Sequence, residues 1–466
     1  MKTIFKKLIP LCCGIVLSES FVIAQDTKAI PSTPNTTSVS APSPGSWNYQ
    51  IMTRTEYKHG YQALADTNQK SAISTSQRAR IGYNYKSDKF KSGISIQDIR
   101  VWGNRANLPV DTSGSLSLYE GWGELMMTDK CSFKFGRQAL SYDDDRILGS
   151  LDWAMQGRRH DVGLFKYIND SVLTIHSGFA YNQDRDFLKS NVYSVKGNYK
   201  AMQFLWLFRQ FKSFNISALF LNNGIQFSKV YPTSTNNYIA YSQTFGVRSF
   251  YKKDKLQSIA YIYMQKGQDG NSKNPNGDPR RLNAYDVSAE VSYKVVKSTG
   301  ITLGAEMLSG STQDATQTKD QTTSFNPFYG TNHRFNGYMD YFYVGNHINS
   351  VGLRDIYLKI NHDIKKTFIG LNTHMFAAMA DIKDVKNSTP TSFISLSKNL
   401  GTEIDLTVAY NFTDGIGIQG GYSQIFGTSS LVALRGGNTS QTSNWAYVMI
   451  LIRPGAVKFP KTGLKL

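Results

Sequence analysis

The chain has 466 residues, of which only 18% are charged and 13% are aromatic, with 27 Tyr, 26 Phe and 38 Gly. Soluble multidomain enzymes carry about 25% charged residues. A bundle of membrane helices is excluded too: mean hydropathy is −0.35, and the longest apolar run beyond the N-terminus, Trp445–Ile452, is far short of the roughly 20 residues a spanning helix needs. The net charge of +18 suits an anionic partner, but the basic residues are scattered and no zinc-knuckle, RRM or helix-turn-helix pattern is present, so nucleic acid is not expected.

The N-terminus comes first in chain order. Lys2, Lys6 and Lys7 precede the short apolar stretch Leu8–Leu17, and Val22-Ile23-Ala24 stands before Gln25, which is the pattern of a secretory signal peptide over residues 1–24. Cleavage would remove Cys12 and Cys13 and leave Cys131 alone, so no disulfide framework is expected within the mature chain. It would also leave 49 Lys and Arg against 33 Asp and Glu, a balance of +16, so the basic bias belongs to the mature protein. Residues 25–46, rich in Ser, Thr and Pro, read as a flexible linker.

From Trp47 onward apolar and polar residues alternate with period two, the mark of strands with two unlike faces. The pattern predicts 18 strands, at 47–57, 76–86, 90–102, 117–127, 131–139, 158–168, 172–182, 199–211, 214–222, 238–251, 256–266, 282–294, 300–308, 351–360, 366–377, 401–412, 416–425 and 443–453. Tyr285, Val287, Ala289, Val291 and Tyr293 oppose Asp286, Ser288, Glu290 and Ser292; Ile404, Leu406 and Val408 oppose Glu403, Asp405 and Thr407. In the strand at 199–211, Met202, Phe204, Trp206 and Phe208 form the apolar face, opposite Gln203 and Arg209.

The connections separate a soluble sandwich from a membrane barrel. Short links such as Thr128-Asp129-Lys130 and Thr413-Asp414-Gly415 alternate along the chain with long ones. Tight turns on one side, long loops on the other and an even strand number are what a bacterial outer-membrane barrel requires. The expected fold is therefore all-β: a single transmembrane antiparallel barrel over 47–453 with short periplasmic turns and long extracellular loops, followed by a tail at 454–466.

Catalytic and metal patterns are missing. The seven histidines form no His-Glu-x-x-His pair, and there is no nucleophile elbow or P-loop. The segment Asp269–Arg280 begins like a calcium loop but has Lys273, Asn274 and Arg280 where ligands and the turn Gly belong. Asp143-Asp144-Asp145 reads as a solvated acidic loop tip. No catalytic residue, metal or cofactor is expected, and a lipid hydrolase lacks a Ser-His arrangement.

Two segments carry a resemblance. Leu118–Tyr167 holds YEGWGEL and FGRQALSYDDDRILGSLDWAMQGRRHDVGLF, with Glu120, Glu124, Gly136-Arg137-Gln138, Arg146-Ile147-Leu148-Gly149, Asp152-Trp153 and Gly157-Arg158-Arg159 before Asp161; Phe325–Leu358 reads FNPFYGTNHRFNGYMDYFYVGNHINSVGLRDIYL. The first resembles the signature of the alginate export porin family, and the second is similar to the long loop and following strand of family members that are not dedicated alginate exporters. The resemblance implies a monomeric outer-membrane barrel of a Gram-negative bacterium, in contact with bilayer and lipopolysaccharide, inserted by the barrel-assembly machinery. It implies an arginine-lined constriction passing an anionic carbohydrate or smaller anions. By motif the constriction arginines would be Arg137, Arg158 or Arg159, and Arg100.

Strand alternation places a partly different set on the lumen face: Arg78, Arg80, Arg159, Arg209 and Arg248, with Glu120, Glu124, Glu290, Glu306, Glu403 and Asp405 as luminal carboxylates. Only Arg159 satisfies both motif and alternation. Arg100 and Arg137 share a face with apolar residues and each would need a β-bulge or a place above the lipid boundary. A guanidinium suits the role because it replaces the water lost by a carboxylated sugar with two parallel hydrogen bonds at fixed charge. The rival from another class is a surface glycan-binding protein or adhesin in which the barrel anchors loops such as 309–350, or in which such a loop folds inward as a plug.

Overall fold

The computed structural model describes residues 45–105, 116–169, 172–186, 188, 197–314, 320–331, 333–389 and 391–454. The predicted signal peptide, all but the last two residues of the predicted linker, and all but the first residue of the predicted tail lie outside the described residues.

Eighteen antiparallel strands close into one barrel. In chain order they are β1 Gly45–His59, β2 Ala72–Lys86, β3 Phe90–Val101, β4 Leu116–Met126, β5 Cys131–Gln138, β6 His160–Asn169, β7 Leu173–Tyr181, β8 Ala201–Gln210 and β9 Phe214–Val230, followed by β10 Thr235–Lys253, β11 Leu256–Lys273, β12 Pro279–Val296, β13 Thr299–Leu308, β14 Leu353–Ile364, β15 Thr367–Ala377, β16 Asn399–Thr413, β17 Ile416–Gly427 and β18 Ser443–Ile452. Each pairs with its chain neighbours, and β1 pairs with both β2 and β18, which closes the ring and leaves no edge. A two-residue stub, Gln321–Thr322, runs parallel to Arg281–Leu282 and does not join the wall.

The wall is inside out relative to a soluble sandwich. On β12, Tyr285, Val287, Val291 and Tyr293 are exposed while Asp286, Ser288 and Ser292 are buried; on β16, Ile404, Leu406, Val408 and Tyr410 are exposed while Glu403, Asp405 and Thr407 are buried. An exposed apolar band around a polar interior is stable only where lipid replaces water outside. No described helix is long and apolar enough to cross a membrane, and the strands do the crossing. The inner turns are tight: Asp254 (φ 51°), Lys365 (φ 53°) and Gly415 (φ 78°) supply the left-handed backbone that two-residue hairpin turns demand.

Two predicted long connections, 223–237 and 267–281, prove to be mainly strand. β9 and β10 continue to Val230 and from Thr235, and β11 and β12 continue to Lys273 and from Pro279. The strand pairing persists there, with Phe227 packed on Tyr238 at 5.4 Å between ring centres in the first hairpin and Asp269 opposite Arg280 in the second. The expected faces of β8 are reversed. Phe204 is buried and Trp206 meets Tyr142 inside the barrel, while Leu205 and Arg209 face out.

That reversal follows from what fills the lumen. Two outer connections, loop 3 (139–159) and the described residues of loop 7 (309–352), fold into the barrel and bring Leu140, Ile147, Leu148, Phe325, Met339 and Tyr341 into a single core with Trp445 and Phe204. A short helix, α1 (Ser429–Arg435), lies in the last outer connection and ends at Gly436 with φ 75°.

Candidate constriction inside the barrel

Loop 3 is tied to the wall along its length. Tyr142 packs against Trp206 and His176, and both oxygens of Asp143 accept from Trp206 Nε1 at 3.2 Å. Asp144 pairs with Arg248 of β10 at 3.2 Å. Arg146 pairs with Asp286 of β12 at 3.0 Å and Glu306 of β13 at 2.8 Å, all three buried. The Asp143-Asp144-Asp145 run is therefore not a solvated tip: Asp143 and Asp145 take left-handed backbone (φ 55° and 67°) and turn the chain so that these carboxylates reach inner partners. Burial pushes the Asp143 carboxyl up to about 6.

Loop 7 lies on loop 3 through the backbone. Gly149 N donates to Tyr329 O (2.9 Å), Tyr329 N to Ile147 O (3.1 Å) and Thr331 N to Asp145 O (2.9 Å), while Arg158 Nη1 donates to Gly330 O (2.7 Å). His333 stacks on Trp153 at 4.2 Å. On its other side loop 7 meets carboxylates of the wall: Asn336 Nδ2 donates to Glu306 (2.6 Å) and Asp355 (3.2 Å), and Met339 N donates to Glu403 (2.8 Å).

The second half of loop 3 rests on a basic wall. Arg54 of β1 donates to Trp153 O (2.8 Å) with its guanidinium 4.4 Å from the indole centre. Arg78 of β2 donates to the carbonyls of Asp152, Ala154 and Met155 at 3.2, 3.0 and 3.1 Å. Arg80 pairs with Asp152 at 3.1 Å and donates to Gln97 at 2.7 Å. Arg159, at the end of loop 3, pairs with Glu120 at 2.7 Å. Depth among protein atoms pushes the Asp152 carboxyl up, but the guanidinium groups of Arg159 and Arg80 outweigh this and hold it below its ordinary value.

Tyr119 organises these cations. In β4 the register shifts so that Ser95 pairs with Glu120 and Ile96 with Leu118, a bulge at Tyr119. Two adjacent side chains, Tyr119 and Glu120, consequently both point inward. The Tyr119 ring lies between two guanidiniums, Arg80 at 3.3 Å and Arg159 at 3.7 Å, and its hydroxyl donates to Asp152 (2.6 Å) while accepting from Arg159.

Of the residues singled out from sequence, Arg80, Arg159, Arg248, Glu120 and Glu124 face the lumen, Glu124 held by Lys166 and Ser132, and Arg158 joins the two loops. Three are placed elsewhere. Arg100 lies on the outer face of β3 with exposed Ile94 and Ile96 and pairs with Asp98 at 2.6 Å. Arg137 lies outside beside exposed Phe135, paired with Asp161 at 2.8 Å. Arg209 is on the outer face of β8, 5.4 Å from the Phe211 ring. The bulge that would have turned Arg100 or Arg137 inward occurs one strand over, at Tyr119. Arg54 was not singled out from sequence, and Tyr119, Arg146 and Asp152 stood in the motif without an assigned place in the lumen. Arg54 was legible, since Met52, Arg54 and Glu56 alternate with exposed Tyr49 and Ile51. Arg146 and Asp152 sit in a loop, where alternation carries no information.

No family model matches the chain, and no curated protein matches it by sequence. Among solved structures it is similar to OccAB4 of Acinetobacter baumannii (TM-score 0.56, 13% identity, covering 88% of this chain and 98% of that one). It is also similar to OpdQ of Pseudomonas aeruginosa (0.55, 11%, 88% and 97%) and OccK8 (OprE) of Pseudomonas aeruginosa (0.54, 10%, 87% and 98%). At this identity the likeness is one of fold. The chain is a closed 18-strand antiparallel β-barrel with the fold of these outer-membrane channels.

Proposed function

We propose that the protein is a passive outer-membrane channel whose constriction favours anionic solutes, with carboxylated sugars and uronate chains of the alginate type as the preferred class. The observation that supports this most is the basic wall of Arg54, Arg78, Arg80 and Arg159 lining the inward-folded end of loop 3. Fixed guanidiniums in a narrow polar lumen lower the cost of stripping water from a carboxylate, and a channel needs such contacts to stay weak enough for release. The reading includes secretion on the 1–24 signal, assembly by the barrel machinery and lipopolysaccharide around the outer rim. The residues of loop 7 packed into the lumen, Phe325, Met339 and Tyr341 among them, suit the plug of the rival glycan-binding reading as well, and solute passage separates the two.

Liposome swelling tests this directly. Liposomes containing the protein should swell faster in sodium glucuronate than in glucosamine hydrochloride, sugars of like size and opposite charge. Arg159→Glu should reduce that preference by about threefold or more, because the variant places two carboxylates together with Glu120. Equal rates for the two sugars in the wild type argue against the anion reading.

A further inference from the structure

We infer that Arg80, Tyr119 and Arg159 form a carboxylate-binding cradle and that Asp152 of loop 3 occupies it as a resident competitor for the solute's carboxylate. This deepens the anion-channel reading of the same constriction and rests on it.

The geometry around Asp152 differs from that of the structural ion pairs. Its Oδ1 is held by Tyr119 Oη at 2.6 Å and Arg80 Nη1 at 3.1 Å, with Arg159 Nη2 at 3.9 Å. The two guanidiniums are 9% and 8% exposed, yet the Asp152 side chain is 50% exposed. Water therefore reaches one side of this carboxylate while the cradle grips the other. Where a carboxylate only fastens loop 3 to the wall, as Asp286 and Glu306 do through Arg146, it is covered entirely.

Loop 3 does not need the Asp152 side chain to stay in place. Arg78 holds the main-chain carbonyls of Asp152, Ala154 and Met155, and Arg54 holds that of Trp153. Turning the carboxylate toward the lumen would break its bonds to Tyr119 and Arg80 but none of these backbone contacts. The cradle itself is independently built. Glu120 secures Arg159, the Tyr119 ring keeps the two like charges apart while attracting both, and Gly157 (φ 62°) passes so close that a Cβ there would lie 2.9 Å from both Arg80 Nη2 and Tyr119 Oη.

A solute carboxylate reaching the cradle would accept the same donors that Asp152 now uses, and Asp152 would move aside. Exchange of one carboxylate for another keeps each solute's residence short, which throughput requires. The cost of displacing Asp152 is the lever that sets affinity.

The experiment is calorimetric titration of the detergent-purified full chain with sodium glucuronate, comparing wild type, Asp152→Asn and Asp152→Ser, with heat-induced unfolding confirming that each barrel is folded. Both substitutions remove the competing charge; Asn keeps the shape and an acceptor, and Ser is the second variant should Asn disturb folding. Glucuronate should bind the variants about tenfold more tightly than wild type, and adding Tyr119→Ala to Asp152→Asn should abolish the gain. Binding to the folded variants no tighter than to wild type overturns the proposal. Tighter binding by the variants together with liposomes that show no anion preference would uphold the cradle and remove the anion-channel reading.

Discussion

Replacing Arg146 with Met should release loop 3 from the barrel wall, with a loss of about 3–5 kcal/mol in the stability of its docked state. Arg146 is buried against Asp286 and Glu306 at 3.0 and 2.8 Å, and its guanidinium lies 4.6 Å from the Phe335 ring of loop 7. Without it two carboxylates face each other in a space closed to water, and the loop must lift to hydrate them. Hydrogen exchange gives the readout: the Gly149 amide, which bonds to Tyr329 O, should exchange about a hundredfold faster or more in the variant. The triple variant Arg146→Met, Asp286→Asn, Glu306→Gln should recover most of the protection, since a neutral set of similar volume often replaces a buried ion pair without loss. If Arg146→Met exchanges like wild type, loop 3 is held by its apolar contacts and the ion triad is incidental.

Excising most of loop 7 should change conductance and selectivity together. The ends of the loop already meet, Ser311 N donating to Ser350 O at 2.8 Å, so residues 312–349 can be replaced by two glycines without moving β13 or β14. The deletion removes His333 from Trp153, takes the Met339 amide from Glu403, and takes Asn336 from Glu306 and Asp355, which keep Arg146 and His374. Single-channel conductance should rise about threefold or more as the lumen of an 18-strand barrel empties. The newly hydrated carboxylates should also shift the reversal potential toward cations. A rise in conductance with unchanged selectivity would mean that those carboxylates do not line the permeation path.

The wall was legible in the sequence because a lipid-facing strand has to alternate, and β12 and β16 do so from end to end. The same rule located Arg80 and Arg248 in the lumen and argued against Arg100 and Arg137, which the family-like motif favoured; Arg159 has the parity of outward-facing Asp161 and Phe165 and faces inward only because it lies in loop 3, just before β6. It failed at β8 for a physical reason. Alternation distinguishes two faces but does not say which one meets lipid, and the inner face of β8 is aromatic because it packs on Tyr142 of loop 3 rather than on water. The constriction was half legible for a related reason. Its strand residues obey periodicity, but Arg146, Asp152 and the loop 7 backbone are placed by contacts between segments about 140 to 180 residues apart, such as Arg146 with Asp286 and Gly149 with Tyr329, and no local pattern records such contacts. The bulge at Tyr119 lies between these cases: the YEGWGEL segment marks the place, but only the register of β3 against β4 shows that two consecutive side chains turn inward.

Reversal potential in a planar bilayer under a KCl gradient decides whether the pore favours anions. Purified protein should insert as stepwise channels whose reversal potential lies on the chloride side, and the displacement should shrink in Arg159→Glu. Absence of steps, or a wild-type reversal potential on the potassium side, would contradict an anion-favouring pore.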